Sequence, residues 1–156
     1  MTDRHRIAIL EDDAARTYEF SACIRECFPD YKIEVFDNAP DMIRWLPQYL
    51  SDTRLICLDH DLGPNRLIGE QPFDPGTGRD VADYLATRQP ICPVLIHTTN
   101  SLAAPGMQLV LDDAGWQCLR IVPYNDLEWV RGSWLEMVGE ALSRSEQERT
   151  DEGNRR

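Results

Sequence analysis

The stretch Ile7-Ala8-Ile9-Leu10-Glu11-Asp12-Asp13 decides the fold of this chain, because it joins a short apolar run directly to a cluster of carboxylates. Two later stretches repeat the arrangement: Leu55-Ile56-Cys57-Leu58 precedes Asp59-His60-Asp61, and Val94-Leu95-Ile96 precedes His97-Thr98-Thr99-Asn100. Short apolar runs of this kind are typical of buried strands in a parallel sheet. Ligand sites of open α/β sheets lie just beyond the carboxyl ends of the strands. We therefore expect the three polar clusters to meet at one edge of one sheet.

Strand and helix patterns alternate along the rest of the chain. Strand patterns occupy residues 5–10, 32–36, 55–58, 94–96 and 119–122, and helical patterns follow over residues 13–28, 38–50, 79–88, 107–113 and 127–142. Strands that alternate with helices in this way predict a parallel sheet with helices on both faces and right-handed crossovers. The expected fold class is α/β, a five-stranded, doubly wound parallel sheet in a three-layer sandwich.

Capping residues and one long loop punctuate this pattern. Asp13 and Asn38 precede the first two helices and are expected to cap them, with Pro40 in the first turn of the second. Pro47 is expected to disturb the second helix, because proline has no backbone N–H. Residues 62–78 contain three prolines and four glycines. They predict a long loop, and such loops are usually functional or mobile.

Length and charge limit the classes of protein that the chain can represent. It has 156 residues and a net charge of −11 at pH 7. We expect one domain over residues 1–142 and a polar, disordered tail over residues 143–156. No apolar run is long enough to span a membrane, and the polar start Met1–Arg4 shows no signal peptide. We expect a cytoplasmic protein without membrane contacts. The acidity disfavours binding to double-stranded DNA.

Carboxylates are concentrated in the clusters that follow the first and third strands. Carboxylates that lie close together repel one another unless a cation neutralises them, and Mg²⁺ prefers oxygen ligands. We predict a site for Mg²⁺ or another divalent metal at Glu11, Asp12, Asp59 and Asp61. The alternative is that Asp12 or Asp13 caps the first helix while the other carboxylates face water.

The chain resembles the receiver domain of bacterial response regulators, a flavodoxin-like fold, from residue 6 to about residue 142. The first strand and the acidic residues after it are similar to those of that family. The resemblance implies that Glu11 and Asp12 bind the metal, with Asp12 and Asp13 as the alternative pair. Asp59 falls where receivers carry the aspartate that accepts a phosphoryl group.

The end of the sheet matches receivers in part. Thr98 matches the hydroxyl that touches the phosphoryl group, and Pro123-Tyr124 resembles the Pro-Phe pair after the fifth strand. Receivers carry a lysine immediately before this proline, and here the position is Val122. Lys32, the only lysine in the chain, comes too early to replace it. This departure argues against ordinary phosphorelay switching.

Two stretches are similar to a narrower receiver-like group, the cyclic-phosphate processing receiver domain. They are Leu58-Asp59-His60-Asp61-Leu62-Gly63 and His97-Thr98-Thr99-Asn100-Ser101. This resemblance implies a role in handling cyclic phosphates, in nucleotide signals or at RNA ends. The expected partner is a phosphate-containing small molecule or an RNA end.

The two strand-end histidines invite general acid–base catalysis, because imidazole titrates near neutral pH. Opening a cyclic phosphodiester requires a base for water and an acid for the leaving hydroxyl. We predict Asp59, His60 and His97 as the catalytic residues. The alternatives are that the histidines bind a transition metal with Asp59 or Asp61, or that each one packs locally.

A polar run after the fourth strand offers donors to phosphate oxygens. We predict that this run, Thr98, Thr99, Asn100 and Ser101, binds phosphate, although one of the four is expected to cap the next helix. Without the strand-end lysine, positive charge has to come from the metal, from a protonated histidine or from an arginine beside the long loop. Arg66 and Arg79 flank this loop, and for both of them simple solvation is the favoured interpretation.

Three functions follow from these residues. The first is a metal-dependent phosphohydrolase or phosphodiesterase. The second is a signalling module that is phosphorylated on Asp59 and binds a protein partner through its last strand and helix. The third is a pseudo-receiver that only mediates protein contacts. Val122 argues against the second function, and the presence of Glu11, Asp12, Asp59 and Thr98 argues against the third.

Overall fold

The sheet of this protein is parallel and contains five strands among the described residues. The computed structural model describes residues 5–156, so the expectation drawn from Met1–Arg4 lies outside the described residues. The strands in chain order are β1 (Arg6–Leu10), β2 (Lys32–Phe36), β3 (Thr53–Leu58), β4 (Arg66–Ile68), β5 (Gln71–Phe73), β6 (Val94–His97) and β7 (Cys118–Ile121). The main sheet has the order β2-β1-β3-β6-β7, with every neighbouring pair parallel. This topology confirms the predicted fold class.

Helices cover both faces of the sheet. They are α1 (Ala14–Cys27), α2 (Ala39–Tyr49), α3 (Gly78–Leu85), α4 (Ala104–Asp113) and α5 (Leu135–Asn154). A helical stretch over Val130–Trp134, kinked at Gly132, leads into α5. Buried residues of α1 and α5 pack on one face, and those of α2, α3 and α4 pack on the other. Within residues 5–156, no helix combines the length and the apolar character needed to cross a membrane.

The apolar runs of the central strands are uninterrupted because both of their faces are buried. Successive side chains of a strand point to opposite faces. Ile7 and Ile9 accordingly pack with α1 and α5, whereas Ala8 and Leu10 pack with α2, α3 and α4. All four side chains are fully buried. Because both faces of β1 are buried, polar residues lie only at its ends, and Glu11 follows directly after Leu10.

The predicted caps are present at the first two helices. Asp13 accepts a hydrogen bond from the backbone N–H of Arg16, and Asn38 accepts one from that of Asp41. Pro47 lies inside α2, which nevertheless continues to Tyr49. The expected disturbance is therefore confined to the missing N–H, because the buried side chains of this helix hold it against the sheet.

The long loop contains structure that the sequence interpretation did not include. Residues 66–68 and 71–73 form an antiparallel hairpin, β4 with β5. Gly69 stands at its turn with φ +63°, a conformation that glycine adopts without strain. Outside the hairpin, Asp61 and Thr77 form an isolated bridge, which holds both ends of the loop together.

Several helix boundaries differ from the prediction: α3 ends at Leu85 instead of residue 88, and the last helical stretch begins at Val130 instead of residue 127. The fourth helix begins at Ala104 instead of residue 107, with Pro105 in its first turn, where a missing N–H costs nothing. The last helix runs to Asn154, so the expected end at Leu142 is wrong, and the segment predicted as a disordered tail is helical to that residue. Ser145 is buried and Glu146 accepts a hydrogen bond from Tyr31 at 2.6 Å, which ties this segment to the domain. The domain limits as such stay a prediction.

Candidate functional site

The site lies where three adjacent strands end. Glu11 follows β1, Asp59 follows β3 and Thr98 follows β6, and these strands are neighbours in the sheet. The ladder continues into the site, because the backbone N–H of Asp59 donates to the carbonyl of Leu10 at 3.0 Å. The polar clusters thus meet at one edge of the sheet, as predicted from the runs that precede them.

Glu11, Asp12 and Asp59 form a carboxylate triad. Each contributes an oxygen, and the three oxygens lie within 4.8 Å of one another. Glu11 and Asp59 are 1% and 6% exposed, whereas Asp12 is exposed. Two buried carboxylates with a third at the surface form an all-oxygen donor set that is open on one side, which suits a hard divalent cation that retains some of its waters.

The electrostatics of the triad also fit a cation. Burial and, after it, the neighbouring charge of Glu11 raise the pKa of Asp59 to about 6. Burial and Glu11 together raise the pKa of Asp12 as well. Two of the three carboxylates therefore hold their protons more tightly than in water, because nothing in the protein balances their charge fully. A divalent cation would remove this cost.

Asp59 is fixed by close backbone packing as well as by the strand ladder. A Cβ placed on Gly78 would lie 1.9 Å from the carbonyl oxygen of Asp59, a distance that no side chain tolerates. Gly78 also donates its backbone N–H to the carbonyl of His60 at 2.9 Å. Glycine at the start of α3 therefore lets the helix approach the Asp59 peptide and hold it.

His97 lies behind the triad and not in its open part. Its Nε2 donates to Oε2 of Glu11 at 3.1 Å, and both side chains are fully buried. Burial is the largest single influence on the pKa of Glu11 and raises it, but His97, the backbone N–H of Asp13 and the charge of Arg16 together lower this pKa by more. The ring packs against Phe20 and Trp129, at centroid distances of 5.0 and 6.1 Å, and its Nδ1 has no partner among the described residues. We call Glu11, Asp59 and His97 the inner cluster.

His60 lies at the entrance of the site. Its Nδ1 contacts Oδ1 of Asp61 at 2.8 Å, and its side chain is 17% exposed. The Asn100 amide donates to both carboxylate oxygens of Asp61, at 3.3 and 3.2 Å. We call His60, Asp61 and Asn100 the rim cluster. Asp61, predicted as a fourth metal ligand, lies in this cluster and outside the triad, because its side chain turns toward His60 and Asn100.

The four residues of the polar run after β6 have different environments. Thr98 is buried, and a hydrogen bond from its side chain lowers the pKa of Asp59. Asn100 accepts a hydrogen bond from the backbone N–H of Ala103 at 2.9 Å in the turn before α4, but the N-cap of α4 is Ala103, so the expected cap from this run is wrong. Thr99 and Ser101 are exposed. The run therefore presents Thr98 and Thr99 toward the inner cluster and the solvent, respectively.

Arg16 is the residue at the site that the sequence interpretation missed. Its Nη1 lies 3.6 Å from Oε2 of Glu11 and 4.0 Å from Oδ2 of Asp59. The two arginines considered from the sequence are engaged elsewhere. Arg66 pairs with Asp37 and Arg79 pairs with Asp83. The only available signal for Arg16 was its position one turn after Asp13, which places it in the first turn of α1 beside the end of β1.

This parallel sheet, with carboxylates at the ends of its central strands, defines a receiver-like domain. A family model described as the cyclic-phosphate processing receiver domain matches residues 7–113. The chain therefore belongs to the family of cyclic-phosphate processing receiver domains. A comparison with curated protein sequences found no significant match.

Solved structures share the fold at low sequence identity. A CheY-like response regulator receiver domain protein from Methanospirillum hungatei has a TM-score of 0.65 and 18% identity, covering 92% of this chain and 98% of that chain. The phosphorylated cyanobacterial phytochrome response regulator RcpA has a TM-score of 0.67 and 16% identity, covering 90% and 96%. The Mn²⁺-bound form of response regulator Rcp1 has a TM-score of 0.59 and 18% identity, covering 85% and 95%. These likenesses establish the receiver fold.

Proposed function

We propose that this chain is a receiver-family phosphodiesterase that binds Mg²⁺ or another divalent cation and hydrolyses a cyclic phosphate. The observation that carries the proposal is the carboxylate triad, whose oxygens lie within 4.8 Å of one another at the ligand-binding edge of the sheet. The family description supports a cyclic phosphate as the substrate. The description of Rcp1 as a Mn²⁺-bound form supports a divalent cation.

Each residue of the site has a proposed role in binding or in orientation. Glu11, Asp12 and Asp59 hold the cation. When bound, the cation supplies positive charge to the phosphate oxygens. Thr98 donates its hydroxyl to a phosphate oxygen. His97 is proposed as a positioning residue and not as a proton donor to substrate, because its ring is fully buried and its Nε2 is engaged by Glu11.

His60 is the proposed acid–base residue. Asp61 holds its Nδ1, which leaves Nε2 to exchange a proton at the partly exposed entrance of the site. Water attacks phosphorus, and a P–O bond to the water oxygen forms as one ester P–O bond of the ring breaks. His60 takes the proton that the water loses and returns it to the leaving oxygen. The net reaction consumes one water and yields a phosphomonoester with a free hydroxyl.

The substrate class is a cyclic phosphate on a small molecule or on an RNA end. The net charge of −11 repels polyanions, so binding has to be driven at the site and not by the surface as a whole. A short, terminal or low-molecular-weight phosphate is accordingly a better substrate than the interior of a nucleic acid duplex.

The experiment is turnover of 2′,3′-cyclic and 3′,5′-cyclic nucleotides by the purified chain with Mg²⁺ or Mn²⁺, and with EDTA. We expect hydrolysis that requires the metal and is lost in Asp59→Asn. Asp13→Asn is the matched control, since Asp13 is an exposed helix cap outside the triad and asparagine caps equally well. The absence of metal-dependent turnover of either nucleotide class by the wild-type chain would overturn the enzyme.

A second candidate is a signalling module that accepts a phosphoryl group on Asp59. The contact of Asp59 with the Thr98 hydroxyl favours it, and the neighbour RcpA is described as phosphorylated. A protein partner would bind at β7 and α5, beside the exposed residues Val122 and Tyr124 of the loop that follows β7. In this reaction a carboxylate oxygen of Asp59 attacks the phosphorus of acetyl phosphate, and acetate leaves. Mass spectrometry that finds a phosphoryl group on Asp59, in a protein without turnover, would select this candidate.

A further inference from the structure

The charge at the proposed site does not suffice for a phosphate if the triad and a cation act alone. Three ionised carboxylates and one divalent cation leave a net negative charge, and phosphate esters are anions. Receivers solve this problem with a strand-end lysine, but the position is Val122 here, which is exposed and uncharged. Lys32 lies at the start of β2, which is the outermost strand on the side of the sheet away from β7 and Val122. Another cation is required.

Arg16 is the arginine whose guanidinium lies against the triad. Among residues 5–156, the ion pairs of Glu11 and Asp59 that are shorter than 4.1 Å involve Arg16 and His97 alone. The contacts of Arg16, 3.6 and 4.0 Å, are too long for hydrogen bonds. Its side chain donates no hydrogen bond to the described part of the chain and is 22% exposed, so its N–H donors are free for a ligand.

The same aromatic side chain supports both Arg16 and His97. The guanidinium carbon lies 5.5 Å from the centre of the Trp129 ring, a cation–π contact, and this ring also stacks with His97. Trp129 is fully buried and is fixed by a hydrogen bond from its Nε1 to the carbonyl of Asp126 at 3.0 Å. A fixed ring beneath the guanidinium restricts its movement without using its N–H donors.

Arg16 also borders open space, in a cavity that Glu11, Asp12 and Asp59 do not line. It lines a cavity of about 350 Å³ together with Thr99, Pro123 and Tyr124. A phosphate held by Arg16 would have this open space next to it. The planar guanidinium matches two phosphate oxygens, and a charge-assisted pair of this kind is strong.

We infer that Arg16 binds the phosphate of the substrate and supplies the cation that the strand-end lysine provides in receivers. This inference rests on the proposed function. In the free protein, Arg16 partly balances Glu11 and Asp59. With a divalent cation on the carboxylates, the guanidinium contributes its donors to the phosphate oxygens. The ligand class is a phosphate with at least two unesterified oxygens, as in a cyclic diester or a phosphomonoester.

The test measures phosphate binding apart from turnover. Inorganic phosphate is titrated into the Mn²⁺-loaded chain, and the paramagnetic relaxation of its phosphorus nucleus reports binding at the metal. Mn²⁺ affinity is measured separately by electron paramagnetic resonance. The variants are Arg16→Gln, Arg16→Lys and, as a control of the same residue type on an exposed helix surface, Arg79→Gln.

We expect Arg16→Gln to weaken phosphate binding about 10-fold or more and to leave Mn²⁺ affinity unchanged or tighter, because it removes a cation that competes with the metal. Arg16→Lys should recover part of the phosphate affinity, and Arg79→Gln should match the wild type. Equal phosphate affinity in Arg16→Gln and wild type would overturn the role of Arg16 and leave the proposed function intact. Mn²⁺ binding without phosphate binding in the wild type would overturn both.

Discussion

The inner cluster and the rim cluster each contain a histidine next to a carboxylate, yet the two histidines lie in opposite environments. His97 is fully buried, and its Nε2 contacts Glu11 at 3.1 Å between aromatic rings. His60 is partly exposed, and its Nδ1 contacts Asp61, whose side chain is 65% exposed. One imidazole is part of the core, and the other is accessible to solvent.

The role of a residue at the end of a strand therefore depends on whether its side chain points into the core or toward solvent. A buried imidazole can orient a ligand carboxylate, but it cannot exchange protons with a substrate that it does not touch. An imidazole at the entrance can exchange protons, but it contributes little to folding. We therefore assign metal binding to the carboxylate triad, with His97 orienting Glu11, and proton transfer to His60 of the rim cluster.

Asp59→Asn should have the largest effect. We expect Mn²⁺ affinity to fall at least about 100-fold and turnover to disappear, because a buried ligand of the triad loses its charge. Without metal at about pH 7, this variant should be at least as stable as the wild type, since burial and Glu11 disfavour the ionised form of Asp59. Metal titration and thermal unfolding check the two parts. A variant that binds Mn²⁺ normally, or one that is strongly destabilised, would contradict the triad.

His97→Ala compared with His60→Ala tests the two clusters directly. His97→Ala removes a ring packed in the core and should cost about 3 kcal/mol in the free energy of unfolding, and it should weaken Mn²⁺ binding about 10-fold. His60→Ala should change that free energy by less than about 1 kcal/mol and leave Mn²⁺ affinity intact while turnover is lost. Denaturant unfolding, metal titration and turnover are the measurements.

His97→Gln keeps this comparison decisive if His97→Ala does not fold. The glutamine amide can donate to Glu11 as Nε2 does, so Mn²⁺ affinity should recover relative to His97→Ala. A His97→Gln protein that folds, binds Mn²⁺ and still hydrolyses substrate would support a positioning role. Loss of turnover in this variant with metal affinity and fold intact would instead return His97 to the acid–base chemistry predicted from the sequence.

The smallest expected effect is a pH dependence of the metal-induced stabilisation. The pKa of Asp59 in the folded protein, about 6, exceeds the ordinary value of 3.8, so ionisation of this group destabilises the metal-free protein as pH rises through 4 to 6. Glu11, whose pKa is lowered, acts in the opposite direction only below about pH 4.5. The ionisation of Asp59 should therefore make the melting temperature of the metal-free protein lower at pH 7 than at pH 5.

Added Mg²⁺ should reverse this loss, because it binds the carboxylate and competes with the proton. The increase in melting temperature with Mg²⁺ should be larger at pH 7 than at pH 5 for the wild type, and small at both pH values for Asp59→Asn. An increase of equal size at both pH values in the wild type would show that Asp59 does not couple protons to metal.

The sheet and the location of the site could be predicted because short-range patterns determine them. An apolar run that ends in carboxylates requires no knowledge of distant residues, and parallel strands bring all such ends to the same edge. The hairpin in the long loop had a recognisable signal as well, since Gly69 and Glu70 separate two short strands. The prolines in the same segment instead favoured the prediction of a long loop without strands.

The different roles of the two histidines were only partly visible. His97 is the last residue of β6, and the alternation of side chains puts Leu95 and His97 on the face that packs against α1 and α5. That pattern indicates burial. The place of Arg16 could not be predicted, because it depends on how α1 packs against Trp129, a residue far away in the chain. The extension of α5 depends likewise on the distant contact of Tyr31 with Glu146.

A crystal structure of the chain soaked in Mn²⁺, with the metal located by its anomalous scattering, tests directly whether the carboxylate triad binds a divalent cation. We expect one anomalous peak in contact with carboxylate oxygens of Glu11, Asp12 and Asp59, with His97 still hydrogen-bonded to Glu11. A peak held by His60 and Asp61, or no peak at the triad at a saturating concentration of Mn²⁺, would contradict it.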